Sequence, residues 1–222
     1  MESLGAAVIT LVAGDTVLEF TFGNRFSLVL LTPLVSGDFL AANDNVKHPR
    51  SKPILSSPTW FPPSGTVAIS VDSAFVKSHG AGIGVVARDS AGRVLGGFAQ
   101  HSAAPGSSAS VEVVAVLASL HLACEQGWPM VVIQTDSTDS VQIANRLRSD
   151  PESNLSELLS FLDPHRRILS AHSCFHVQFI SLSINTVAHT LATWALNCTH
   201  SLFFDSVCPE IIRSIINNEL VT

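Results

Sequence analysis

At 222 residues, the chain is long enough for one core of about 130 to 150 residues with appendages. Only 14% of its residues are charged and the formal net charge is −6, which excludes a global basic field for gathering nucleic acid and leaves such binding to local patches. The cysteines at positions 124, 174, 198 and 208 form no CxxC pair and read as reduced thiols. The one zinc-like grouping, "CTHSLFFDSVC", lacks a second close ligand pair.

The N-terminal "MESLGAAVITLVAGD" lacks the basic residue ahead of its apolar run that a secretory signal requires. "FSLVLLTPLV" is far shorter than the roughly 20 residues that cross a bilayer. The expectation is a soluble intracellular protein, without membrane partners and monomeric. Residues 1–59 read as a poorly patterned leader ending in a Pro- and Ser-rich linker.

From Val67 the pattern becomes regular. "TVAISVDSAF" alternates and is rich in β-branched residues, predicting a first strand. "GAGIGVVARDSAGRVLGGFAQH" predicts two more around a turn at "RDSAGR", giving an antiparallel meander. The period then changes. In "PGSSASVEVVAVLASLHLACEQG", Val111, Val114, Ala115, Ala118 and Leu122 form one helical face, the serines offer an N-cap, and Gly127 ends the helix. "PMVVIQT" is continuously apolar, which predicts a strand covered on both faces. A short helix is expected in "DSTDSVQIANRLRS" and another in "SNLSELLSFLDPHRRILSAH", kinked or broken at Pro164. "SCFHVQFISL" predicts a fifth strand, and "NTVAHTLATWALN" an amphipathic helix with Val187, Leu191, Trp194 and Ala195 inward. "PEIIRSIINNEL" supplies a short helix in the tail, residues 201–222, with Pro209 at its start. The order implies an α/β protein with a mixed sheet flanked by helices.

Three acids fall at mechanically suggestive places. Asp72 lies inside a strand, where a carboxylate is costly unless compensated or placed at a site. Glu112 is expected in the first turn of the long helix, favoured by the helix dipole. Asp136 stands where the buried strand gives way to a helix, a place where ligands gather in open α/β sheets. Each also has a plain structural role open to it: a cap for Asp136, a dipole partner for Glu112, a compensated strand residue for Asp72. Together they form a hard-oxygen set suited to magnesium or manganese, and two such ions can drive phosphodiester hydrolysis.

With "ISVDSAF", "GAGIGVVARDSAGRVLG", "SASVEVVAVLASLHLACEQGW", "VVIQTDS" and "NTVAHTLATWAL" in this order, residues 60 to 197 resemble the type 1 ribonuclease H domain. The likeness is to the plant branch of retroelement-derived reverse-transcriptase-like proteins, and "WFPPSG" fits that branch. The resemblance implies a ribonuclease H-like domain over residues 60–200, with a five-stranded mixed sheet of three antiparallel and then two parallel strands. It implies catalytic and metal-binding roles for Asp72, Glu112, Asp136 and His189, the last at a position where many enzymatic members carry Asp. Substrate contacts are expected at Ser73, Ser137, Thr138 and Asn185. The implied activity is hydrolysis of the RNA strand of an RNA–DNA hybrid, leaving 5′-phosphate and 3′-hydroxyl ends, with two Mg²⁺ or Mn²⁺ ions in the substrate complex.

Departures from the family pattern fall on substrate contacts. Ala68 replaces Lys, Ser73 replaces Gly, Ala109 replaces Asn, and Leu182 stands where the plant branch carries Arg. Thr138 replaces a common Gln, and no His precedes His189 in "FISLSINTVAH". The alternative implied is a domesticated domain of weak or no catalytic activity that binds nucleic acid or a partner.

Overall fold

A computed structural model describes residues 9–12, 15–22, 26–32, 61–102, 108–149, 162–198 and 201–221. The first three strands, β1 (Ile9–Val12), β2 (Asp15–Phe22) and β3 (Phe26–Thr32), pair antiparallel in a sheet of their own, with Phe22 opposite Phe26. Leader residues in which the sequence shows little pattern therefore include three paired strands. The expected Pro- and Ser-rich linker lies outside the described residues.

The second sheet holds the core. Its meander is β4 (Val67–Val76), β5 (Gly80–Arg88) and β6 (Val94–Ser102). The β5–β6 turn is built as its sequence predicts. Asp89 Oδ1 accepts from the amides of Ala91 and Arg93, both at 2.9 Å, and Gly92 takes the positive φ of 76° that the turn requires.

Helix α1 (Ser108–Glu125) crosses to β7 (Val131–Thr135), which pairs parallel with β4. Helices α2 (Thr138–Ser149) and α3 (Asp163–Ala171) lead to β8 (Phe175–Phe179), parallel to β7. Pro164 stands in the first turn of α3, where a missing N–H costs nothing; the expected helical stretch ahead of it, residues 153–161, lies outside the described residues. Helix α4 (Thr186–Asn197) follows a single 3₁₀ turn at Leu182–Ile184, and the chain ends in β9 (Leu202–Phe204) and α5 (Glu210–Val221).

Strand order is β8-β7-β4-β5-β6-β9. The sheet thus has six strands where five are expected, because Leu202–Phe204 adds to the free edge of β6. Three residues are too few to show a strand period. Space for them comes from Gly97, where an added Cβ would lie 2.7 Å from Cζ of Phe204.

Helices cover both faces. On one, α1, α2 and α3 enclose Ile69, Val71, Ile83, Phe98, Ile133 and Phe175. On the other, α4 and α5 cover Val86, Val94 and Ala99 with Val187, Leu191, Ala195, Ile212 and Ile216. The expected inward face of α4 is buried at Val187, Leu191 and Ala195 and partly buried at Trp194. Helix α1 is wrapped more fully than one apolar face implies, with every residue from Val113 to Ala123 buried. Among the described residues it is the one helix long and apolar enough to cross a membrane, and 67% of it is buried within this fold. Burying a Leu or Val side chain contributes about 1.5–3 kcal/mol, so α1 serves the sheet as its central cover.

Candidate active site

Two neighbouring parallel strands, β4 and β7, set the site. They run with Ser70 opposite Gln134, and two residues further on stand Asp72, inside β4, and Asp136, the residue after β7. Above them α1 supplies Glu112. Helix α1 starts at Ser108, so Glu112 is its fifth residue and stands just past the first turn where it was expected. From there its carboxylate reaches Ser73 of β4.

One ligand oxygen from each of Asp72, Glu112 and Asp136 lies within 4.8 Å of the other two. Among the described residues this is the sole group of three or more such side chains. Asp72 is 3% exposed. Its Oδ1 accepts the Ser73 amide at 2.7 Å, and its Oδ2 meets His189 Nδ1 at 2.7 Å. Ser73 also turns its hydroxyl outward from the strand to donate to Glu112 Oε1 at 2.7 Å. The second oxygen of Glu112, Oε2, is buried with no hydrogen-bond partner.

A cap is needed at the start of α2, and Ser137 supplies it. Its Oγ accepts the Ser140 amide at 3.2 Å and the Ser140 hydroxyl at 2.9 Å. Asp136 is therefore spared the capping duty open to it in the sequence. Its Oδ1 accepts only a long bond, 3.3 Å, from the Asn185 amide. Asn185 is 1% exposed and also donates to the Val71 carbonyl at 2.9 Å. It thus ties the start of α4 to β4 and to Asp136 from beneath. Of the remaining expected contact residues, Thr138 is exposed on the first turn of α2. Asp139, beside it, is half-buried.

His189 joins the group through Asp72. It projects from α4 with its side chain 52% exposed and Nδ1 directed at Asp72. With that nitrogen engaged, Nε2 is the atom open to solvent or substrate.

Two glycines that the sequence reading passed over make this reach possible. Gly84 pairs with Asp72 across β4 and β5. A Cβ there would stand 2.3 Å from the Ala188 carbonyl and 2.4 Å from the Ala192 amide of α4; at Gly82 it would stand 2.1 Å from the Ala192 carbonyl. The backbone of α4 lies directly on β5, which brings His189 within bonding distance of Asp72. The signal was present in the sequence as G-x-G inside a strand, a mark of close backbone approach.

Crowded carboxylates out of water resist ionisation. Burial, with Asp136 nearby, raises the Asp72 carboxyl above its usual range against the opposing bonds from His189 and Ser73. Burial pushes Glu112 up to about 8, the Ser73 bond opposing it and the charges of Asp72 and Asp136 adding to it. A carboxyl raised in the folded state binds a proton that the unfolded chain has released. Stability of the metal-free chain is therefore lost as pH rises from the ordinary Glu range through about 8. Glu125, raised by burial to about 7, acts the same way at lower pH. Between pH 7 and 8.5, the unfolding free energy in chelator is expected to fall with a slope approaching about 1.4 kcal/mol per pH unit. In Glu112→Gln that slope should shrink, leaving the part near pH 7 that Glu125 contributes, and a slope unchanged by the substitution would refute the assignment.

A model of reverse transcriptase-like proteins matches residues 70–195, a span that takes in Asp72, Glu112, Asp136 and His189. The chain belongs to that family. Among solved structures, LC9 ribonuclease H1, described as a type 1 ribonuclease H with the type 2 active-site motif, is similar with a TM-score of 0.53. It is 15% identical, over 72% of this chain and 86% of that one. The N-terminal ribonuclease H domain of a Mycobacterium tuberculosis protein, solved as a fusion with maltose-binding protein, gives a TM-score of 0.50. It is 20% identical over 60% of this chain and 94% of its own. Ribonuclease H1 of the archaeon Halobacterium salinarum gives 0.49, at 20% identity over 60% and 98%. No curated protein matches the sequence. The fold of this family member is thus that of ribonuclease H, with β9 and α5 beyond the matched span.

Proposed function

We propose that the chain is a divalent-metal-dependent nuclease that hydrolyses the RNA strand of RNA–DNA hybrids. The observation that carries this reading is the convergence of Asp72, Glu112 and Asp136 within 4.8 Å. The donor set suits Mg²⁺ or Mn²⁺, since every atom is a hard carboxylate oxygen. Glu112 Oε2, buried without a partner, is an oxygen that a cation would satisfy, and family membership supports the reaction class.

Asp72 would hold the ions from within β4 and Asp136 from the end of β7, and Glu112 would close the set from α1. When bound, such ions supply a water-derived nucleophile and stabilise the leaving oxygen of a phosphodiester. The chain's own part is to hold and orient. Asn185 fixes Asp136, and Ser73 braces Glu112 and Asp72 together. His189, held at Nδ1 by Asp72, presents Nε2 to give a proton to the departing 3′-oxygen or to aid product release. The ribose 2′-hydroxyl is the feature by which such a site tells RNA from DNA.

A labelled hybrid incubated with the purified protein and Mg²⁺ or Mn²⁺ tests the proposal. Expected are 5′-phosphate and 3′-hydroxyl products, no cutting of duplex DNA, and no cutting by Asp72→Asn. Cleavage equal in parent and Asp72→Asn, or in neither, would overturn it.

A second reading rests on the family's grip positions. Leu182 is 51% exposed where the plant branch carries Arg, and Ala109 is half-buried where enzymatic members carry Asn. Both favour a weakly binding, non-cutting domain. A gel shift on hybrid at low and high salt, alongside absent cleavage, would establish that reading.

A further inference from the structure

Beyond the matched span the chain turns back and closes on α4. Ile212 and Ile216 of α5, 0% and 5% exposed, pack with Val187, Leu191 and Ala195 of α4. Near the end of α5, Glu219 reaches two other elements with its two oxygens. Oε2 pairs with the Arg88 guanidinium at the end of β5, and Oε1 accepts the Thr186 hydroxyl at 3.4 Å. Arg88 is 5% exposed, and a charge so placed is strongly destabilising without a counter-charge.

Thr186 is the first residue of α4 and follows Asn185 directly. Asn185 reaches Asp136, and one turn later His189 reaches Asp72. Glu219 therefore grips, from outside, the turn of α4 whose inner side serves the carboxylates. Gly84 lets that turn approach the sheet; α5 presses on it from the other side.

We propose that the β9–α5 segment is a positioning clamp, in which Glu219 fixes the first turn of α4 so that Asn185 and His189 meet Asp136 and Asp72. The clamp goes beyond the nuclease reading and requires neither cation nor substrate. Its competitor is a purely structural role, in which Glu219 does no more than neutralise Arg88. The two separate because a buried ion pair can be replaced by apolar residues of similar size without loss of stability, whereas the Thr186 hydroxyl would still lose its acceptor.

The full metal-free chain is compared with an Arg88→Met/Glu219→Met double variant and with Thr186→Val. Three quantities are read: melting temperature, hydrogen exchange at the His189 backbone amide, which bonds the Asn185 carbonyl at 3.0 Å, and the ¹⁵N resonance of His189 Nδ1. The double variant is expected to melt near the parent while exchange at His189 quickens about tenfold relative to amides of β4. Its Nδ1 resonance should move towards that of a free imidazole, and Thr186→Val should show the same changes at about threefold. A folded double variant with parental exchange and a parental Nδ1 resonance would overturn the clamp. Where the double variant does not fold, Thr186→Val decides alone, and parental values there overturn it equally. These readouts are independent of catalysis, so a parent that fails to cut hybrid overturns the nuclease reading and leaves the clamp to its own test.

Discussion

Substituting alanine for Gly84 is expected to lower stability by about 3 kcal/mol or more, near the upper end of what overpacking costs, and valine to prevent folding. The reason is that the space is already taken by backbone. The new Cβ would stand 2.3 Å from the Ala188 carbonyl and 2.4 Å from the Ala192 amide, and neither can rotate away as a side chain would. Either α4 lifts or β5 sinks. β5 cannot sink, because it is paired on both sides, with Asp72 opposite Gly84 on one flank and Ala99 on the other. If α4 lifts, Leu191, fully buried, loses contact with the sheet, and His189 withdraws from Asp72. Domains are stable by only about 5–15 kcal/mol, so the alanine variant should survive with a melting point lower by about 10 °C. Urea unfolding read by circular dichroism gives the number. An alanine variant as stable as the parent would show that the close packing of α4 on β5 is not what the structure describes.

Much of this was legible because the informative residues carry their own period. The alternation of "VAISVDSAF" and the apolar start of "VVIQT" each specify a strand, and β4 and β7 are those strands; β4 is buried on both faces from Val67 to Asp72, beyond what alternation implies. The three acids stood out since each violates or exploits a local rule: Asp inside a strand, Glu near a helix start, Asp at a strand end. What escaped were features defined by partners distant in the chain. Three residues of β9 become a strand only because β6 offers an edge and Gly97 leaves room. Gly84 looks like a weak strand residue until α4, about a hundred positions later, lies on it.

The roles of Ser137 and Asn185 were hidden for a related reason. Both were expected to contact substrate on the strength of family positions, yet the side chain of Ser137 caps α2 and that of Asn185 is 1% exposed beneath Asp136. Hydroxyl and amide groups bond whatever the fold puts first within reach. Sequence can say that such a residue will be bonded, but not to what. Sequence also could not resolve whether Asp136 capped or coordinated, and it was the neighbouring Ser137 that took the cap and left the carboxylate free.

That freedom has a cost, which Asp136→Asn is expected to expose. In the metal-free chain burial is the leading reason that Asp72 and Glu112 resist ionisation, and the charge of Asp136 adds to it in both. Asparagine keeps the shape, and its carbonyl oxygen can still accept the Asn185 amide, so the substitution removes chiefly a repelling charge. Two unit charges at the spacing seen here interact by about 1–3 kcal/mol between bulk-water and near-surface screening. The sign follows from linkage: a smaller upward shift of Glu112 means less stability lost as pH rises through about 8. At pH 8 in chelator, Asp136→Asn should therefore melt higher than the parent. The order should reverse with cations. Mg²⁺ or Mn²⁺ at millimolar levels should raise the parent's melting temperature by mass action, leave the variant's unchanged, and support hybrid cleavage at least about 100-fold faster in the parent. A variant that is less stable than the parent in chelator would mean that Asp136 holds the fold together rather than the ions. One that is stabilised by cations as much as the parent would remove Asp136 from the ligand set.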